Sequence, residues 1–493
     1  MDWKLIFRSL KSKKMFTAML SVLSIMVIYR FLAHIPIPLA EPTQLKQLVS
    51  SAFSSEQVLG FLDLLSGGAL SSFSIMIMGL GPYINASIIM QILSKAVPRL
   101  EELNQEGESG RQKINQYTRI LTVPLGIIQS VGLIFILRQQ TVASSLGIDI
   151  TKNASPAQWI LMIVSMVAAS ILLMWLGELI TEQGVGNGIS LIIFAGIVSR
   201  LPSTIYSLIE ASISNSQGVA RISLFGQQLP LNARATYISI AILIATLVIT
   251  YCLVKLNEAQ RIVTVHYAKR VKGNRTYGGI TTILPIKLIS AGVIPIIFAF
   301  AFLSMPQFAG RLIENSSTTW MANLGKNLVD WFASPGSQEF LAKTGYQAWI
   351  YPVAYFLLVV VFTYFYTGIV FNSKEIAENL QKQGGFVSGV QPGERTEVHL
   401  KAVVNRLNLF GATSLGILAM IPIIAEKMLG TSQLSISGTG LLIVVSVALE
   451  TLRQVQSKAL METYDFDENN KKPNNKKGLP VLSKLKLSKK TRV

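Results

Sequence analysis

SIMIMGLGPYINASIIMQIL, Ser74 to Leu93, runs for roughly the twenty residues a helix needs to cross the hydrocarbon core of a bilayer, and it contains no charged side chain. Its middle is broken by Gly79, Gly81 and Pro82. Glycine and proline kink or loosen membrane helices, so the run is expected to span the membrane with an interruption inside it. Immediately upstream stands DLLSGGALSSF, Asp63 to Phe73, a half-polar segment of glycines, serines and leucines unlike a membrane helix. The interruption returns far along the chain. GLGPYI, Gly79 to Ile84, is echoed by GVIPII, Gly292 to Ile297, both reading Gly-x-x-Pro-x-Ile. Matching breaks in two halves of a membrane protein point to a functional seam between repeats.

Around these runs the chain is half hydrophobic and only 14% charged, the composition of a polytopic membrane protein rather than a soluble enzyme. Spans are expected near Met15–Ile37, Ser72–Leu93, Ile120–Leu137, Trp159–Ile180 and Ile189–Ile205. Five more are expected near Tyr237–Leu256, Ile286–Met305, Ile350–Val370, Leu407–Ala425 and Gly440–Val455. Ten spans put both termini on one side, and five per half invert the second half against the first. The basic first residues lead into an apolar stretch longer than a signal peptide and without a small-residue cleavage site, so the first span is expected to be retained.

The formal charge is +18, from 44 Lys and Arg against 26 Asp and Glu. Three quarters of the basic residues lie in the N-terminus, in Lys95 to Arg119, Lys255 to Lys287 and Lys374 to Arg406, and in the tail after Leu452. This is the positive-inside pattern, which puts those segments and both termini in the cytoplasm. It accounts for most of the charge by topology, without specific recognition of a nucleic-acid sequence. The Lys-rich stretch from Asp465 to Val493 is expected to be disordered and attracted to anionic lipid.

The one cysteine, Cys252, lies inside an apolar run and allows neither a disulfide framework nor a zinc site. No phosphate-binding loop, HExxH motif or Ser-His-Asp spacing is present, so an enzyme's active site and a cofactor site have nothing to stand on. Ionisable groups within spans are few: Arg30 and His34 near the outer end of the first, Glu178 and Glu182 near the cytoplasmic end of the fourth. A secondary transporter built from inverted repeats would place polar or ionisable ligands at the broken helices.

FLDLLSGGALSSFSIMIMGLGPYINASIIMQIL, EGESGRQKINQYTR, LMWLGELITEQGVGNGISLIIFAGIV, RIVTVHYAKR and KEIAENLQKQGGFVSGVQPGERT occur in this order. With their spacing they resemble the bacterial SecY protein-conducting channel family, from about Met15 to Leu460. The resemblance implies an all-α polytopic membrane protein with ten transmembrane helices in two inverted five-helix halves around a central pore. It divides the chain into a basic N-terminus (1–14), an N-terminal half (15–205), a hinge and extracellular loop (206–236), a C-terminal half (237–460) with cytoplasmic loops 255–287 and 372–406, and a Lys-rich tail (461–493). It implies a passive channel, not an enzyme and without a cofactor, that passes unfolded secretory proteins across the membrane and releases transmembrane segments sideways into lipid.

The family's plug falls on about 61–73, carried by Leu62, Leu64, Leu65, Gly67, Gly68, Ala69 and Leu70. Helix-interior glycines each cost about 1 kcal/mol relative to alanine, which suits a segment that must be displaced. The family's pore ring of bulky apolar side chains falls on Leu80, Ile84, Ile193, Ile297, Phe302 and Ile443, with Leu80 and Phe302 standing where isoleucine is common. Such a ring resists hydrated ions by dewetting. The lateral gate lies between spans two and three on one side and seven and eight on the other, with Gln91, Gln129, Ile289 and Ser290 as candidates; Ile289 stands where an asparagine is expected. The two long basic loops are implied to dock the motor ATPase SecA or the ribosome through Arg261, Lys269, Arg270, Arg275 and Arg395, with Gln391 in place of a typical arginine. SecE, which clamps the halves, SecG, secretory and membrane protein substrates and membrane lipid complete the implied partners, and a bacterial plasma membrane is the implied location.

Overall fold

The computed structural model describes residues 12–37, 69, 74–143, 155–213, 221–224, 227–267, 270–272, 275–277, 279, 281–292, 294–314, 316, 318–333, 335, 338–429 and 433–471. The N-terminal half holds α1 (Lys13–Leu32), α2 (Gly81–Ala96), α3 (Pro98–Gln105), α4 (Glu108–Ala143), α5 (Pro156–Glu182) and α6 (Gly188–Ile213). A short antiparallel pair, β1 (Arg221–Leu224) and β2 (Gln227–Asn232), leads to α7 (Ala233–Glu258). Four strands follow, β3 (Gln260–Tyr267), β4 (Arg270–Lys272), β5 (Arg275–Tyr277) and β6 (Thr281–Lys287). The rest comprises α8 (Ile294–Ile313), α9 (Thr319–Trp331), α10 (Gln338–Ala342), α11 (Gln347–Val370), α12 (Ser373–Lys382), β7 (Gly385–Val387), α13 (Glu394–Leu429) and α14 (Gln433–Lys471).

Among the described residues eight helices are long and apolar enough to cross a membrane: α1, α4, α5, α6, α7, α8, α11 and α13. Each overlaps an expected span. The two remaining spans coincide with α2, only 16 residues long, and with α14. Several helices outrun their apolar stretch, because polar residues extend them into water: α4 begins at Glu108 rather than Ile120, and α13 at Glu394 rather than Leu407. The polar tail expected from Asp465 begins as helix, since α14 continues to Lys471.

The Gly-Pro echo requires a correction. The glycines were expected to kink helices from within, but both stand outside a helix. Gly79 (φ 53°) and Gly292 (φ 63°) adopt the left-handed backbone open to glycine, and each is followed two residues later by a helix start, at Gly81 and at Ile294. Pro82 and Pro295 then occupy the second helical position, where a missing N–H costs no intrahelical bond. The first parts of these two spans are therefore not helical. Ile75 to Leu80 form successive turns, with the Gly79 N–H on the Met76 carbonyl and the Gly81 N–H on the Met78 carbonyl. This segment is tied to the end of α1: the Ile75 N–H donates to the Ile35 carbonyl (3.0 Å), and the Ser74 hydroxyl donates to the Leu32 carbonyl (3.1 Å).

The turn between α5 and α6 is set by TEQGVGNG, Thr181 to Gly188. The Asn187 side chain caps α6 by accepting from the Ile189 and Ser190 N–H groups, and the Gly188 N–H donates to the Thr181 hydroxyl (2.9 Å). A Cβ at Gly188 would lie 1.8 Å from the Gly177 carbonyl oxygen, a backbone atom that cannot swing aside. Gly188→Ala is expected to destabilise the protein by about 3 kcal/mol, seen as a lower unfolding temperature in detergent. An unchanged temperature would contradict this packing.

The long basic loops are folded rather than open. β3 lies centrally in a three-stranded antiparallel sheet of order β6–β3–β7, so a strand from the second loop (Val387 opposite Val265, Phe386 opposite His266) completes the sheet of the first. Alternation along RIVTVHY turns Val263 and Val265 inward, where they meet Ile286, Val387, Leu400 and Val404 in a small apolar core of their own. β4 and β5 form a separate hairpin.

Candidate functional site

One large apolar cluster joins helices of both halves, and five of the six expected ring residues belong to it. Leu80 comes from the turn before α2, Ile84 from α2, Ile193 from α6, Ile297 from α8 and Ile443 from α14, exposed by 1%, 2%, 0%, 6% and 4% respectively. Both branches of the Gly-x-x-Pro-x-Ile echo thus end in a side chain of this cluster, Ile84 and Ile297. A left-handed glycine followed by a proline sets where each helix begins, and so sets the depth at which its isoleucine sits. Ile189 is partly buried against the same cluster, a contributor the sequence reading did not name.

Phe302 stands apart from the other five. It is 40% exposed, and its ring meets Phe362 of α11 edge-on at 6.0 Å between centroids. Phe298, one turn earlier on α8, contacts the same Phe362 at 6.1 Å, so the two phenylalanines straddle one ring of the adjacent helix.

Of the expected plug residues only Ala69 is described. It is fully buried within the central cluster, and its carbonyl accepts from the Ser74 N–H at 2.8 Å. Leu62, Leu64, Leu65, Gly67, Gly68 and Leu70 lie outside the described residues.

The seam between the halves is closed by α8, which packs on both α2 and α4. At Gly132 of α4 the approach is close: a Cβ there would lie 2.4 Å from Cζ of Phe308 and 3.4 Å from Leu312. Gln129, one turn earlier on α4, has its Oε1 3.7 Å from where a Cβ on Gly81 would stand, which puts it at the start of α2. The Gln91 side chain donates to Ser87 of its own helix (3.1 Å), while its Oε1 is buried without a partner. Asn85 of α2 and Gln307 of α8, 7% and 4% exposed, also keep an unpartnered side-chain atom, Oδ1 and Nε2 respectively. Ile289 and Ser290 are not on α8. They belong to the bent approach to it, with Ile289 buried in the central cluster and the Ser290 hydroxyl donating to the Lys287 carbonyl (3.2 Å). α8 itself carries the buried Gln307, which the sequence reading did not name.

Glu178, an isolated acid in the sequence, is clamped by Arg119 of α4 in a two-pronged pair, Nε to Oε1 at 2.9 Å and Nη2 to Oε2 at 2.6 Å. The end of α14 binds several segments at once. The Lys458 ammonium donates to the Gln183 carbonyl in the α5–α6 turn, and Arg453 Nη2 donates to the Asn257 carbonyl at 2.9 Å. The Glu450 carboxylate lies 3.3 Å from the Cβ position of Gly292, a tight approach at a residue whose left-handed backbone already favours glycine.

On the sheet, Arg261 is exposed on β3 opposite Ile286. Arg270 and Arg275 lie on the β4–β5 hairpin, and Lys269 lies outside the described residues. Gln391 and Arg395 flank a turn made by Gly393 (φ 97°), both with exposed side chains; the Gln391 carbonyl accepts from the Thr396 hydroxyl at 2.8 Å.

The buried apolar cluster, the two helices that start just beyond left-handed glycines and the packing of α8 on α2 and α4 can be set beside known proteins. The family model for SecY covers residues 74–452. The chain belongs to the SecY family. Protein translocase subunit SecY of Streptomyces scabiei is 37% identical over 466 residues, covering 93% of this chain and 98% of the relative. The Corynebacterium glutamicum subunit is 36% identical over 450 residues, covering 90% and 94%. A solved structure described as a protein-conducting channel has a TM-score of 0.61 at 18% identity, covering 90% of this chain and 93% of that one. Sec61 in a canine ribosome–channel complex from the endoplasmic reticulum has a TM-score of 0.57 at 17% identity, covering 90% and 93%. The SecY fold and family make this chain a multi-pass membrane protein and the channel subunit of a protein translocase, without a reaction of its own to catalyse.

Proposed function

We propose that Leu80, Ile84, Ile193, Ile297 and Ile443 form the constriction through which an unfolded chain passes, and that α2 and α4 part from α8 and α11 to release transmembrane segments into lipid. The observation that carries this reading is that five aliphatic side chains, from both halves of the chain, are buried in one cluster to which both Gly-x-x-Pro-x-Ile segments contribute their isoleucine. Rings of this kind exclude ions by dewetting yet yield to a polypeptide. The segment 61–73 serves as the plug above the ring. The chain crosses the membrane ten times, with the folded basic sheet and both termini in the cytoplasm of a bacterial cell, as the positive-inside distribution supports.

The sheet of β6, β3 and β7, with the β4–β5 hairpin and the turn at Gln391 to Arg395, is the docking surface for the ribosome or SecA, and SecE and SecG are the companion subunits. Docking at the sheet is supported by the exposed Arg261 and Arg395. Ribosome binding is supported by the likeness to Sec61 of the canine ribosome–channel complex.

The test is a photocrosslinking scan. A secretory chain stalled partway through the reconstituted complex, carrying one photoreactive residue, is expected to label Ile84, Ile193, Ile297 and Ile443. Adducts confined to the β3–β6 region and the Gln391 turn would overturn the constriction.

A further inference from the structure

On the membrane-facing side, away from the seam, α7 and α13 leave a groove of about 450 Å³ between them. Ala241, Ala245, Val248 and Cys252 of α7 form one wall, with Leu418 and Ile421 of α13 on the other. The small alanines open it, and its lining is almost wholly apolar. Lys255 continues the same face of α7, three residues beyond Cys252, with its ammonium 5.8 Å from the ring centre of Tyr251. Tyr251 is exposed, as a tyrosine of the interfacial belt would be.

We propose that this groove holds an acyl chain of an anionic phospholipid whose phosphate is bound by Lys255. Two features select this occupant. From Ala241 to Lys255 the helix rises roughly 21 Å, the scale of one extended acyl chain that would reach from the groove to the ammonium. The groove also runs to a cation, which complements a phosphate, and cationic sites beside membrane helices recognise acidic headgroups. Tyr251 holds the ammonium by its ring face without neutralising it, so the charge stays available to an anion.

The experiment uses the full chain with its co-purifying subunits in nanodiscs. Phosphatidylglycerol carrying a diazirine on one acyl chain is photolysed, and adducts are mapped by mass spectrometry. Adducts are expected to concentrate on Ala241 to Cys252 and on Leu418 and Ile421. Labelling there should fall about fivefold in Lys255→Gln, the change expected for one surface lysine at an anionic lipid, and be retained in Lys255→Arg. Ala245→Phe, which fills the groove, should also reduce it. Equal labelling by the corresponding phosphatidylcholine probe, or adducts spread evenly over the exposed face of α1, would overturn the proposal. A benzophenone attached at Cys252 adds a second readout: capture of a co-purifying polypeptide instead of lipid would show that protein covers the groove and would overturn it as well.

Discussion

Replacing Ile84 and Ile297 together by asparagine raises the resting ion conductance of the reconstituted channel about tenfold or more, because a constriction that excludes ions by dewetting loses its apolar lining at two points. Both side chains are almost completely buried and reach the central cluster from opposite halves of the chain. Burial of an isoleucine is worth about 2 kcal/mol relative to exposure, so the drying free energy lost at two positions is enough for a change of this size. Single-channel recording in planar bilayers measures it. The same exchange at Phe302, which packs on Phe362, is expected to leave the conductance nearly unchanged. A leak from the Phe302 variant as large as that from the double variant would return Phe302 to the ring and remove the distinction drawn from its packing.

Gly132→Leu acts on the seam. The glycine is where α4 approaches Phe308 and Leu312 of α8, and a Cβ would already stand 2.4 Å from the phenylalanine ring. Overpacking of this kind costs about 1–3 kcal/mol, and the cost falls on the closed arrangement, so the balance between closed and open seams shifts about tenfold or more toward open. Export of a reporter with a weakened signal sequence is expected to rise. Phe308→Ala in the same chain removes the obstacle and should return export to its starting level, since the two residues are in contact and their effects are not additive. Failure of the second substitution to reverse the first would mean that Gly132 acts elsewhere. Gln307→Leu is expected to raise the unfolding temperature in detergent, because the buried amide keeps an unpartnered Nε2 whose cost the substitution removes.

Much of this was legible in the chain itself, because a bilayer imposes a length and an apolarity that leave plain marks. Every long apolar run contains a helix, and in the second and seventh only the later part of the run is helical. The isoleucines that turn out buried in the central cluster could be numbered because the motifs around them are long and specific. The errors have physical reasons. A twenty-residue apolar run states that a segment lies in the membrane, not that it is helical throughout, so the starts of the second and seventh spans were misjudged although their glycines and prolines marked the break. Phe302 is apolar wherever it points, and only the Phe362 contact decides its direction. Gly132 and Gln307 carry no local signal: their meaning comes from helices more than a hundred residues apart in the chain. The basic loops hid their fold because positive charge was read first, whereas the alternation in RIVTVHY already indicated a half-buried strand.

That sheet has a mechanical side. Its outer strands are not loose ends: β6 runs into the bend at Gly292 and from there into α8, and β7 runs into the turn at Gly393 and from there into α13. β3 joins them with hydrogen bonds in register and is itself the continuation of α7. A load applied anywhere on this plate is shared among the roots of three membrane helices, one of which closes the seam. The plate is built as a lever, joined through the two glycine bends to the helices it would pull.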